Sequence, residues 1–271
     1  MIHIKTWMCR VYVIFTMLAH AATAYGAFEY LKFGWSTATA NVKGVNPYWD
    51  HLVVKPAQGG TAPSYLLSMA YQKPFQGLDL DAGSLALHHA TYRRGYHHQI
   101  AYFGDKVYRE LKISSTTVWP MHSGLMLGLS IEYYRMTIPA MVSQQNLSLS
   151  VQTGIVITDD LRLGSVLGQL VQINNGLVIP QEFHFGGRYT YGLATLMIAF
   201  EKEAALPAEL CVGVLLSPWS NWEFGFGYRD LSGMSTAGWR CSLAKLALFY
   251  VYQAHPVLPV SQGFGIEYQL P

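Results

Sequence analysis

Six polar side chains crowd one short stretch of the chain: His88-His89, Arg93-Arg94 and His97-His98. Imidazole is a metal ligand and a general base, and two doublets flanking a reversal are the kind of pattern that can gather an ion. Neighbouring residues of a strand point to opposite faces, so one histidine of each doublet faces each way. At most two converge, whereas zinc takes about four ligands. The expectation is therefore an interfacial or lumenal polar patch of His88, His89, Arg93, Arg94, His97 and His98, with no metal. His122-Ser123 is the other pair with catalytic chemistry. A nucleophile and its base must share a surface, and consecutive strand positions do not. There is no G-x-S-x-G elbow and no glycine-rich phosphate loop. The expectation is a non-enzymatic protein without a cofactor.

The elements that carry these residues are read from alternation. Leu125, Leu127, Leu129, Ile131 and Tyr133 interleave with Gly124, Gly128, Ser130 and Glu132, and Leu147, Leu149 and Val151 with Ser148, Ser150 and Gln152. Trp222, Phe224, Phe226 and Tyr228 interleave with Glu223, Gly225, Gly227 and Arg229, and Phe264, Ile266, Tyr268 and Leu270 with Gly265, Glu267 and Gln269. One face is bulky and apolar, the other small or polar. In a soluble sandwich the second face would be rich in Lys, Glu and Asp. Charged residues make up 13% of the chain and aromatics 14%, with 25 glycines, a balance that suits a wall facing lipid.

Turn signals at Thr158-Asp159-Asp160, Asn174-Asn175-Gly176, the run from Ser217 to Asn221, Asp230 to Gly233, and His255-Pro256 separate the runs. The pattern predicts an all-β fold, an antiparallel transmembrane β-barrel of about 14 strands (12–14). The predicted strands lie near 65–73, 82–92, 96–104, 107–118, 122–136, 145–158, 161–174, 181–191, 192–203, 208–217, 221–230, 236–243, 245–253 and 258–270. Trp119, Tyr133, Tyr134, Trp219, Trp222, Trp239 and Tyr268 recur near strand ends, as interfacial aromatic belts do.

The chain divides into three parts. Residues 1–24 read as an export signal: Lys5 and Arg10, an apolar run from Val11 to Ala19, then the small-residue cleavage site Ala22-Thr23-Ala24, with Ala19-His20-Ala21 as an alternative. The apolar run is shorter than the roughly 20 residues a spanning helix needs. Loss of Lys5 and Arg10 takes the formal charge from +2 to zero, and a neutral chain without a basic stripe speaks against nucleic acid as partner. Residues 25–64 break the alternation. A helix-tolerant stretch from Phe28 to Thr39 precedes Asn46-Pro47, Pro56, Gly59-Gly60 and Pro63, and the expectation is a plug-like segment inside the lumen, with a periplasmic leader as the alternative. Residues 65–271 form the barrel. Of the two cysteines in the barrel, Cys211 and Cys241, spacing does not say whether they pair.

Ala27-Phe28-Glu29-Tyr30-Leu31-Lys32-Phe33-Gly34 resembles the opening of the PorV/PorQ family of outer-membrane proteins, relatives of the FadL-type barrels. The stretch from Glu209 to Asp230 is similar to the family's late hairpin, and Tyr250-Val251-Tyr252-Gln253-Ala254-His255-Pro256-Val257-Leu258 is similar to its lead into the closing strand. The chain departs from the family in having Ser36-Thr37-Ala38-Thr39-Ala40 after Gly34 and in ending Gln269-Leu270-Pro271. The resemblance implies a barrel exported through the periplasm to the bacterial outer membrane and surrounded by its lipid. There it acts in type IX-type protein secretion or surface attachment, with secreted cargo proteins or secretion-system subunits as partners. The alternatives are a FadL-like channel taking up hydrophobic small molecules and a structural scaffold barrel. For a hydrophobic ligand the candidate lumen and plug contacts are Phe28, Tyr30, Phe33 and Trp35. For cargo they are the exposed loops, among them Pro139 to Gln145 and Asn174 to Gln181.

Overall fold

Alternation with period two obliges each run to lie flat as a strand with a different chemistry on either side. The computed structural model describes residues 35–39, 64–91, 93–121, 124–139, 143–204 and 206–270. It contains fourteen strands: Ser64–Lys73 (β1), Asp81–Ala90 (β2), Gly95–Gly104 (β3), Arg109–Pro120 (β4), Leu125–Thr137 (β5), Gln144–Val156 (β6), Leu161–Asn175 (β7), Glu182–Tyr191 (β8), Ala194–Glu203 (β9), Glu209–Trp219 (β10), Trp222–Arg229 (β11), Ser235–Leu243 (β12), Leu246–Ala254 (β13) and Ser261–Leu270 (β14). Each pairs antiparallel with its sequence neighbour, and β1 pairs with β14, closing the barrel. The fold class is that expected from the alternation.

Ladder partners share a face, so the register sorts every side chain. Ser68, Ala86, Gln99, Ser114, Glu132 and Ser148 follow one another across β1 to β6 on the inward face. Met69, Leu85, Ile100, Ile113, Tyr133 and Leu147 do so on the outward face. Exposure settles which is which: Ile131 and Phe264 are 53% and 57% exposed, Ser130 and Glu267 only 2%. Large apolar side chains turned outward all round, with polar ones hidden inside, is the inverse of a soluble domain and fits a hydrocarbon solvent.

The same parity corrects one sequence reading. Tyr134 is not a belt residue, because it follows outward Tyr133 and so points inward, where it is 1% exposed. Trp222, Trp239 and Tyr250 do form an outward aromatic run, with ring centroids 5.8 Å and 6.5 Å apart. Ser217 and Pro218, expected in a turn, lie within β10 at a register shift between Leu216 and Trp219. A bulge accommodates a proline that has no N–H to give to the ladder.

The two ends differ. On the side of both strand termini the connections after β8, β10 and β12 are two residues each, at 192–193, 220–221 and 244–245. On the other side they are longer, up to the seven residues of 74–80.

Candidate functional site

The lumen holds most of the functional chemistry, and three ion-pair networks line it. Lys112 Nζ lies 2.6 Å from Glu132 Oε1 and 5.2 Å from the Tyr134 ring centre. Glu132 also accepts from Ser150 Oγ at 3.0 Å. Below this pair Thr116 and Ser130 share a hydrogen bond of 2.8 Å, and Gln152 Nε2 donates to Ser130 at 3.0 Å. The second network joins Arg229 to Glu201 (2.8 Å) and to Glu209, with His184 Nε2 2.7 Å from Glu182. In the third, Arg240 lies between Glu223 (2.7 Å) and Glu267 (2.8 Å). Apart from His184 and Glu182, which both lie on β8, the partners come from different strands, so the pairs tie the wall together across the ladders.

The polar patch expected around β2 and β3 does not converge. His88 and His97 are ladder partners on the inward face, their Nδ1 atoms 3.1 Å apart. His89 faces outward and stacks between Tyr65 (centroids 4.3 Å) and Tyr96 (5.6 Å). His98 also faces outward, its Nδ1 3.0 Å from Ser115 Oγ. Arg93 and Arg94 sit in the exposed β2–β3 turn. This separation is what strand parity dictates.

The Ser115–His98 contact is a serine–histidine pair that sequence spacing hides, since its members lie 17 positions apart on adjacent strands. Among the described residues no third side chain is hydrogen-bonded to His98. The backbone N–H groups around it belong to the ladder, so nothing there is arranged to hold an oxyanion. His122 and Ser123 lie outside the described residues.

Among the described residues, two pieces of the chain approach the inner wall. The 3-10 turn Trp35–Thr39 packs against β10 to β13. Its Ala38 is fully buried with Met197, Ala199, Cys211, Leu215, Phe249 and Val251, and its carbonyl accepts from Thr236 Oγ1 at 3.1 Å. The approach requires glycine in the wall: a Cβ on Gly213 would lie 2.8 Å from Thr39 O, and one on Gly225 2.7 Å from Ala38 Cβ. Of the expected plug contacts, Phe28, Tyr30 and Phe33 lie outside the described residues, and Trp35 opens the turn.

The second piece is the connection 176–181, which sequence reading took for an exposed loop. Gly176, Val178, Pro180 and Gln181 are exposed as expected, but two side chains between them turn inward. Leu177 and Ile179 are buried with Ala82, Ala101, Phe103 and Tyr134. Asn146 Nδ2 donates to Leu177 O (2.9 Å), and Gln172 Nε2 donates to Ile179 O (2.6 Å).

The inward turn has a cause in β7. Opposite β6, Val151 pairs with Leu167 and Leu149 with Val171, so three residues, Gly168 to Leu170, stand where the partner has only Ser150. Gln169 adopts φ +54° within this bulge, which bends the strand. On its other side β7 pairs with β8 only from Leu161↔Tyr189 to Gly168↔Glu182. Beyond that point 169–175 has β6 as its sole ladder partner. Val171 and Ile173 there are turned outward and exposed.

Cys211 and Cys241 form no disulfide. Cys211 pairs in register with inward Arg229, and Cys241 with outward Leu248. They lie on opposite faces of the wall and cannot meet.

No protein-family model matches the chain, and no curated protein does either. Solved structures do. The monoaromatic hydrocarbon channel CymD aligns over 87% of this chain and 96% of its own, with a TM-score of 0.60 and 11% identity. The Acinetobacter baumannii outer membrane protein Omp33 aligns over 78% of this chain and all of its own, with a TM-score of 0.53 and 7% identity. The fold is that of outer-membrane channels and porins. At such identities the likeness concerns architecture alone, and no family model ties the chain to PorV/PorQ in particular.

Proposed function

We propose that the protein is a bacterial outer-membrane channel for small hydrophobic compounds, which pass between lumen and lipid through the side of the wall beside β7. The observation that carries this reading is the ladder missing on one side of 169–175. A lipid-level strand edge with unpaired N–H and C=O groups is tolerated only where it borders a cavity or buried protein. Here the edge leads into 176–181, whose Leu177 and Ile179 are buried against Ala82, Ala101, Phe103 and Tyr134 of the inner wall. CymD, a barrel of the same fold, is a monoaromatic hydrocarbon channel, so the architecture is compatible with such cargo.

The comparisons favour neither the secretion role implied by the PorV/PorQ resemblance nor the channel, whose support is the geometry of the wall. Cargo recognition needs surface to present. The connections at the longer end reach seven residues at most, and within Asn174 to Gln181, one of the loop stretches named for that task, Leu177 and Ile179 are buried. The secretion reading rests on the two chain ends alone. Co-purification of a secreted protein with the intact barrel would restore it.

Deleting Gln169 and Leu170 tests the channel. Removal of two residues keeps the alternation of faces and places Gly168 opposite Ser150, straightening β7 so that the chain after it can complete the ladder. Uptake of a radiolabelled monoaromatic hydrocarbon by liposomes bearing the protein is expected to fall about tenfold, while the heat-modifiable gel shift of a folded barrel persists. Unchanged uptake by a folded deletion variant would reject the lateral route.

A further inference from the structure

At the end with the longer connections, the outside of the wall carries a cleft of about 580 Å³ bordered by Lys106, Arg109 and Arg135 together with Asp79, Asp81 and Asp105. The two sets of charges are not equivalent. Asp81 accepts from Tyr71 OH (2.5 Å) and from Lys73 Nζ (3.1 Å), and Asp79 lies 3.8 Å from the same ammonium. Asp105 accepts the backbone N–H groups of Val107 and Tyr108, both at 2.7 Å. All three carboxylates are thus engaged within the protein.

The arginines are hydrogen-bonded but form no ion pair: Arg109 Nε donates to the Asp105 carbonyl (3.0 Å) and Arg135 Nε to Ser143 Oγ (2.9 Å). Among the described residues no carboxylate lies within ion-pair distance of Lys106, Arg109 or Arg135. Both arginines are outward by register, Arg135 opposite Leu111 and Arg109 opposite Thr137. Glu110, the remaining acid at the cleft, is 2% exposed, being turned through the wall to the lumen side.

Below the cations the outward face becomes apolar at once, through Leu111, Ile113 and Ile131. A row of unpaired cations above an apolar wall is complementary to one kind of molecule, an amphiphile with an anionic head. Guanidinium groups hold phosphate through paired N–H donors, and an ammonium adds a point charge.

We propose that this cleft binds the phosphorylated headgroup of an outer-leaflet glycolipid, whose acyl chains lie against the wall beneath. The proposal rests on the outer-membrane location proposed above and on strand termini that face the periplasm, which puts the cleft, at the opposite end, beside the outer leaflet. Arg93 and Arg94, two exposed cations at the terminal end, supply an internal control for charge outside the cleft.

The test is titration of the detergent-solubilised full chain with lipid A, followed by native mass spectrometry. Lys106→Gln/Arg109→Gln/Arg135→Gln is expected to weaken lipid A binding about tenfold or more. Arg93→Gln/Arg94→Gln is expected to leave it unchanged, and phosphatidylcholine is expected to show no difference among the three proteins. Equal lipid A binding by the triple variant, equal loss in the Arg93/Arg94 variant, or full displacement by millimolar inorganic phosphate overturns the proposal. Insertion of each variant into phosphatidylcholine vesicles, read by the gel shift, tests the membrane reading separately. A barrel that inserts but ignores lipid A defeats the cleft and spares the location.

Discussion

The wall of β4 to β7 and the wall of β10 to β13 solve the same problem in opposite ways. Both must present an inner face that leaves few buried polar groups without a partner. The first does so with side chains: Lys112, Glu132, Ser130, Ser150 and Gln152 satisfy one another across the ladders. The second also carries the Arg229–Glu209 and Arg240–Glu223 pairs, but between them it opens at Gly213 and Gly225 and is filled there by the incoming turn at Ala38 and Thr39. The polar wall meets most of its own needs, leaving Asn146 Oδ1, Ser148 Oγ and Gln169 Oε1 buried without a hydrogen bond, whereas the glycine wall is half of a joint. Strand length follows the same division, since β4 to β7 run 12 to 15 residues and β10 to β13 run 8 to 11.

The sharpest way to break this contrast is in the polar wall. Glu132→Gln leaves the Lys112 ammonium buried without its counter-charge and should destabilise the barrel by about 3–5 kcal/mol. Lys112→Met/Glu132→Leu should recover most of that loss. Urea unfolding in bilayers, followed by tryptophan fluorescence, measures both, and a double variant as unstable as the single one would mean the pair does not act as a unit. In the glycine wall, Gly225→Val drives a side chain into Ala38 and should cost about 1–3 kcal/mol. It should also raise ion conductance in planar bilayers by displacing the turn from the lumen. A conductance equal to wild type would show that the turn does not obstruct the pore.

The smallest effect lies in the turn feeding the tall wall. The N–H groups of Tyr108 and Val107 hold the Asp105 carboxyl below its usual range. A folded-state pKa that is depressed gives stability present above the unfolded value, near 3.8, and lost as pH falls through the folded one. Asp105→Asn should therefore flatten the fall in unfolding midpoint below about pH 4 and change little at pH 7. An identical acid limb in wild type and variant would assign that limb to other groups.

Much of the architecture could be read from the chain, because period-two alternation is a local signal and each predicted strand has its counterpart in the barrel. Parity also separates His88 from His89 and His97 from His98 without coordinates. What escaped is whatever depends on register between strands. The bulge at Gly168 to Leu170 keeps an unremarkable mixture of small, polar and apolar residues, so nothing in it announces that β8 starts late. Glu201, Glu209 and Arg229 come from three strands and have no spacing in common, and Ser115 finds His98 only once β3 and β4 are aligned. Tyr134 was misread because its outward neighbour Tyr133 gives the same aromatic signal.

The seam between β1 and β14 stands apart from every other junction, since all the others join strands adjacent in sequence. Thirteen hairpins can form by local zipping, with little chain entropy lost at each step. Closure must instead bring Tyr65 to Leu270 and Lys73 to Gln262, ends separated by nearly the whole barrel. Assembly thus has one slow, non-local event, and substitutions along that seam should retard folding while those within the hairpins chiefly hasten unfolding.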